Sequence, residues 1–143
     1  MKSARSRHTI LLVEDNAMDI DLTLRAFNKQ RFATTIHVAR DGEEALSWFE
    51  RWDGGECLPA VILLDLNLPR VNGLEVLQQL KTHKKFRSIP VVVLSSSREE
   101  SDLKAAYDLG VSSYIEKPVN FSQFIEVAER IELYWCVLNE RPY

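Results

Sequence analysis

Short apolar runs alternate with amphipathic stretches along this chain. Residues 9–13 (TILLV), 60–64 (AVILL) and 90–94 (PVVVL) are apolar nearly throughout, 35–39 (TIHVA) is a weaker run, and 113–115 is a short last one. Runs that are apolar throughout, rather than alternating, read as strands buried on both faces, the condition of a parallel sheet covered by helices.

Helical periods lie between these runs. Ala45, Trp48, Phe49 and Trp52 fall at i, i+3, i+4 and i+7, an amphipathic stripe. Leu74, Leu77 and Leu80 repeat every three residues, and Leu103, Ala106 and Tyr107 mark a further helix closed by Gly110. Phe121, Phe124, Ile125, Ala128, Ile131 and Trp135 form a long final stripe. The segment after the first run is ambiguous, because Met18, Ile20, Leu22 and Leu24 alternate by two, as in a strand. Its acids come first (Asp19, Asp21) and its bases last (Arg25, Lys29), which suits a helix dipole, and the β-α alternation around it also favours a helix.

Five β-α units predict an α/β, doubly wound domain with a five-stranded parallel sheet. Right-handed crossovers then bring every strand's C-terminal end to one edge of the sheet. The 143 residues fit a single domain with its core over 8–138 and a loose basic tail over 1–7, carrying Lys2, Arg5 and Arg7. Trp52, Gly54, Gly55 and Pro59 mark a loop before the third strand, not a domain boundary.

The polar residues that end the apolar runs are Glu14 and Asp15, then Asp65, then Ser95, then Lys117. In open α/β sheets that edge holds the ligand crevice. Three carboxylates converging there repel one another, and a divalent cation relieves them; oxygen ligands of this kind suit Mg2+. A carboxylate can also act as a nucleophile and form an acyl phosphate, a reaction that asks mainly for positioning and charge neutralisation. On this chemistry Asp65 is the candidate phosphoacceptor, Lys117 the group neutralising one phosphoryl oxygen, and Ser95 the donor to another.

The ordered set Val13-Glu14-Asp15-Asn16, Leu64-Asp65-Leu66-Asn67-Leu68-Pro69 with Gly73, Leu94-Ser95 and Lys117-Pro118 resembles the receiver domain of response regulators, over about residues 8–138. The resemblance implies a flavodoxin-like receiver fold with strand order 2-1-3-4-5. It implies that Asp65 is the phosphoacceptor and Asp15 a direct Mg2+ ligand, with Glu14 assisting and the backbone carbonyl of Asn67 a further ligand. It places Ser95 and Tyr114 at the paired switch positions and Asn67 and Ser97 where autodephosphorylation is tuned. It also implies a cis Lys117–Pro118 bond. The acidic pair is Glu-Asp where many members carry Asp-Asp, a common variant. The LVEDN start, the DLNLP segment and the long last helix are similar to small regulators paired with bacterial phytochromes, in which the donor is a phosphohistidine on a light-regulated kinase and many members are dimers.

Composition narrows the function classes. Hydrophobic residues make up 45% and charged residues 27%, an ordinary globular balance, and the net charge of −3 carries no basic footprint for nucleic acid. No apolar stretch is long enough for a signal-peptide core or a membrane span, so a cytoplasmic protein is expected. Cys57 and Cys136 belong to no C-x-x-C spacing and read as unpaired thiols; His8, His37 and His83 show no metal spacing. Nucleotide-binding glycine loops are missing, and the position two past Asp65 is Asn67 where an aspartyl-phosphate hydrolase would want an acid, so slow self-dephosphorylation is the only catalysis expected. Tyr134, Trp135, Val137 and Leu138 put apolar groups on several sides of the last helix, more than covering a sheet requires. They predict a homodimer through the fourth helix, fifth strand and last helix, with Tyr134, Trp135 and Leu138 at the interface. The expected function is a single-domain switch that takes a phosphoryl group from a sensor histidine kinase; the alternative is a pseudo-receiver that binds partners without phosphorylation.

Overall fold

The computed structural model describes residues 8–29, 34–97 and 99–143. The basic tail expected over 1–7 lies outside the described residues. Five parallel strands form one sheet in the order β2-β1-β3-β4-β5: β1 (His8–Val13), β2 (Thr34–Ala39), β3 (Val61–Leu64), β4 (Val91–Ser95) and β5 (Ser113–Glu116). The helices between and after them are α1 (Ala17–Asn28), α2 (Gly42–Asp53), α3 (Gly73–Lys81), α4 (Glu100–Asp108) and α5 (Phe121–Ile131). Every strand and helix read from the apolar pattern is present, and the order is the one the receiver resemblance implied.

Alternate strand residues divide between two cores, which is why the central strands read as unbroken apolar runs. Leu11, Val13, Ile62, Leu64, Val91 and Val93 meet Trp48 and Trp52 of α2, Leu77 and Leu80 of α3, and Ala106 of α4. Ile10, Leu12, Val61, Leu63, Val92 and Leu94 meet Ile20 and Phe27 of α1 and Phe124, Ala128 and Ile131 of α5. The edge strands β2 and β5 are only partly covered, and their weaker apolar runs reflect that.

The ambiguous segment is the helix α1. Its buried face is Ile20, Thr23, Ala26 and Phe27, a helical spacing. The alternation by two came from Met18, which is 75% exposed, and from Leu22 and Leu24, which flank the core. Asn16 starts the helix by accepting the Asp19 N–H on its side chain at 3.0 Å. Asp41, Asn72 and Asn120 cap α2, α3 and α5 in the same way, and Asn72 with Glu75 completes a capping box.

Three expectations need correction. Trp52 is not in the loop before β3: α2 runs to Asp53 and buries Trp52, because the indole completes its apolar stripe. The final stripe does not continue as an α-helix to Trp135. From Glu132 to Leu138 the backbone is π-helical, and each wider turn takes one more residue. That shifts the buried face, so Glu132 and Cys136 are buried while Trp135 is only packed against the core's rim. The Glu132 carboxylate accepts from the Thr34 hydroxyl, tying the start of β2 to this segment. Finally, no cis peptide bond occurs among the described residues, so Lys117–Pro118 is trans, the form an X–Pro amide favours by about 0.5–1 kcal/mol.

Candidate functional site

The strand register brings the predicted residues to one end of the sheet. Val13 pairs with Leu64 and Leu64 with Val93, so Glu14 and Asp65 emerge side by side where β1 and β3 end, next to the last residues of β4. Ser95 pairs with Glu116, and Lys117 follows at the end of β5 with its N–H on the Ser95 carbonyl at 2.9 Å. Glu14, Asp65 and Ser95 are buried at 3%, 6% and 0% exposure, whereas Asp15 is exposed.

One carboxylate oxygen from each of Glu14, Asp15 and Asp65 lies within 4.8 Å of the others. Lys117 reaches over this trio. Its Nζ is 2.8 Å from Glu14 Oε1, 3.0 Å from Asp65 Oδ2 and 2.8 Å from Asp19 Oδ2. Asp65 Oδ1 accepts the Asn67 N–H at 3.1 Å, which orients the carboxylate from below. Burial, reinforced by the Asp65 charge, pushes the Glu14 carboxyl up to about 7, against the opposing pull of Lys117. For Lys117 burial works against the charge, but hydrogen bonds to Asp19, Glu14 and Asp65 outweigh it and hold the ammonium above the usual lysine range. The lysine stays charged, and the acids around it are crowded.

This donor set fits a divalent cation. Its ligands are hard carboxylate oxygens from two strand ends, and the strained ionisation of Glu14 is the condition that a cation relieves.

The switch candidates occupy the flank of the crevice. Ser95 Oγ accepts the Ser97 N–H at 3.1 Å. Tyr114 of β5 is half-buried against the α2–α4 core and donates its hydroxyl to the Ser97 carbonyl at 3.0 Å. Ser97 in turn donates its hydroxyl to Asp102 on α4 at 2.7 Å. Ser97 therefore connects Ser95, Tyr114 and α4.

The Response regulator receiver domain model matches residues 10–129. The chain belongs to the receiver family. Among curated relatives it is 44% identical over 134 residues to the probable methanogenesis regulatory protein FilR2 of Methanothrix harundinacea, covering 93% of this chain and 86% of that one. It is 36% identical over 128 residues to the response regulator Rcp1 of Synechocystis sp., covering 88% of this chain and 87% of Rcp1. The Mn(2+)-bound form of Rcp1 superimposes with a TM-score of 0.85 over 95% of this chain and 99% of that one, at 33% identity. The phosphorylated cyanobacterial phytochrome response regulator RcpA superimposes with a TM-score of 0.88 at 38% identity, covering 96% of this receiver and 99% of RcpA.

Asp19 is the site residue that sequence reasoning missed. Its place among the first acids of α1 suits a helix dipole, yet its carboxylate is one of three on Lys117. A signal was available: Asp19 lies four residues past Asp15, one helical turn into α1, and so on the crevice side once Asn16 starts the helix. The predicted interface residues lie apart from the crevice, in the π-helical segment. Tyr134 is 53% and Leu138 60% exposed, while Trp135 is half-buried and meets Tyr134 edge-on at 4.7 Å. Ile115, Val127, Ile131, Tyr134 and Trp135 line an apolar cavity of about 300 Å³ along α5. No helix among the described residues is long and apolar enough to cross a membrane.

Proposed function

We propose that this receiver takes a phosphoryl group on Asp65 from a phosphohistidine of a sensor histidine kinase and passes the signal on through altered protein contacts. The observation that carries the reading is the Lys117 ammonium 3.0 Å from an Asp65 carboxylate that shares its crevice with Glu14 and Asp15. In the transfer an Asp65 carboxylate oxygen bonds to phosphorus, the P–N bond to the donor breaks, and the imidazole keeps the electron pair and takes up a proton. Glu14, Asp15, Asp65 and the Asn67 carbonyl would hold Mg2+, which supplies charge neutralisation for the phosphoryl oxygens. Lys117 then bonds one phosphoryl oxygen and the Ser95 hydroxyl another. The turn of Ser95 toward the phosphoryl group exchanges its bond with the Ser97 N–H, and the Tyr114 hydroxyl on the Ser97 carbonyl carries that movement to β5. Slow self-dephosphorylation, tuned at the positions of Asn67 and Ser97, is the catalysis this reading assigns to the switch, which works in the cytoplasm.

Similarity to the phytochrome response regulator RcpA supports a phytochrome-type kinase as the donor. The exposed Leu138 and the exposed Tyr134, which lines the apolar cavity on α5, support a homodimer through α4, β5 and α5. Sedimentation of the unmodified and phosphorylated protein tests this: a monomer in both states at high concentration rules the dimer out.

The deciding experiment is intact mass after incubation with acetyl phosphate and Mg2+, on the native chain and on Asp65→Asn, with and without EDTA. A single phosphoryl adduct, lost in the variant and in the chelated sample, is expected. An unmodified chain that also binds no Mg2+ would make it a pseudo-receiver instead.

A further inference from the structure

Asp19 stands outside the acidic trio, in the first turn of α1, where a helix dipole alone would explain a negative charge. Its side chain is used more specifically. Asp19 Oδ2 is 2.8 Å from Lys117 Nζ, matching the Glu14 contact and shorter than the 3.0 Å to Asp65. An ammonium has three N–H donors, and Lys117 presents them to these three carboxylates. The Asp19 backbone is itself pinned: its N–H donates to Asn16 Oδ1 at 3.0 Å, and its carbonyl accepts from Thr23 Oγ1 at 2.7 Å. The carboxylate therefore projects toward the crevice from a fixed turn.

We propose that Asp19 is a positioning residue that anchors the Lys117 ammonium at the crevice while its other two partners change roles, an inference that rests on the reading of Asp65 as phosphoacceptor. Glu14 and Asp65 are the partners that cation binding and phosphoryl transfer engage, so both contacts to Lys117 weaken in that step. Asp19 takes part in neither event, and its contact is the one of the three that persists. Lysine's flexible four-carbon stem carries large rotamer freedom. A fixed partner keeps Nζ within reach of the incoming phosphoryl oxygen, so that the charge is already in place as the transition state forms. At 27% side-chain exposure Asp19 is also the most solvated of the three carboxylates. It is therefore the carboxylate whose ionisation depends least on Lys117, and it stays charged to hold the ammonium while the N–H donors freed from Glu14 and Asp65 turn to the phosphoryl group.

The test compares Asp19→Ala and Asp19→Asn with the native chain in two measurements. The first is the rate of phosphorylation by acetyl phosphate across Mg2+ concentrations. The second, on the unphosphorylated protein, is hydrogen exchange of the Lys117 ammonium by nuclear magnetic resonance. Loss of one charge-assisted contact in the alanine variant lowers the rate at saturating Mg2+ about tenfold. The asparagine variant, whose amide oxygen still accepts, keeps more of the rate. The Lys117 ammonium exchanges faster in the alanine variant than in the native chain. A helix-dipole role alone would lower the melting temperature of both variants but leave the saturating rate and the ammonium exchange unchanged. That result overturns the proposal and leaves the reading of Asp65 standing. If the native chain takes no phosphoryl group, the reading of Asp65 fails first and the positioning role falls with it.

Discussion

Gly73 presses against the backbone of Asp65 so closely that a methyl group on its Cα would sit 2.4 Å from the Asp65 carbonyl oxygen and 2.5 Å from Leu66 Cα. The Gly73 N–H also donates to the Leu66 carbonyl at 3.0 Å, so the start of α3 is clamped onto the loop that carries the acceptor. Gly73→Ala must move backbone rather than a side chain. It is expected to destabilise the fold by roughly 2–4 kcal/mol, read by urea denaturation, and to weaken cation binding at the displaced Asp65.

Glu14 titrates high, at about 7 against an ordinary 4.5, because it is buried beside Asp65. Between those values the folded chain holds a proton that the unfolded chain has released. The resulting stability is fully present below about 4.5 and is lost as pH rises through 7. Glu14→Gln is therefore expected to raise the melting temperature of the metal-free protein at pH 8 and to change it little at pH 4, in a series of melts across that range. Mg2+ affinity of the native chain should rise over the same interval, since the cation competes with that proton.

Lys117 is the cation that keeps Glu14 and Asp65 tolerable, with side-chain exposures of 12%, 4% and 6%. Lys117→Met leaves both carboxylates uncompensated. A loss of about 3 kcal/mol at neutral pH is expected from denaturant titration, shrinking on acidification and on addition of Mg2+. A variant as stable as the native chain at pH 7.5 would mean that solvent already screens the trio.

The two thiols should behave oppositely. Cys57 is exposed, whereas Cys136 is buried in the π-helical segment and pushed up to about 12 by that burial and by neighbouring Glu132. Ellman's reagent is expected to titrate Cys57 at once in the folded protein and Cys136 only after denaturation. Cys57→Ser should leave the folded chain unreactive; rapid labelling of that variant would show the C-terminal segment opening on its own.

Arg70 follows the acceptor loop with φ of +65°, a left-handed conformation that costs a side-chain-bearing residue about 1–2 kcal/mol, and its ion pairs with Asp41 and Glu43 are long and solvent-exposed. Arg70→Asn is expected to stabilise the protein by about 0.5–1 kcal/mol in thermal melts, because asparagine tolerates this region better.

Most of the architecture was legible in the order of residues because strand burial on both faces forces unbroken apolar runs, and each such run ended in the polar residue the crevice needs. Glu14, Asp15, Asp65, Ser95 and Lys117 were recognisable for that reason: strand ends are local features, and parallel connection brings them to one edge. The tertiary structure decided what depends on packing between distant elements. Asp19 reaches Lys117, 98 residues away in sequence, only because α1 packs against α5, the helix that follows Lys117. The same holds where Glu132 meets Thr34 and the last helix widens into a π-turn, moving Cys136 into the core in place of Trp135. Local periodicity determines which face of an element is apolar; which charged groups meet across the crevice is determined by how those faces dock, and only the folded arrangement contains that information.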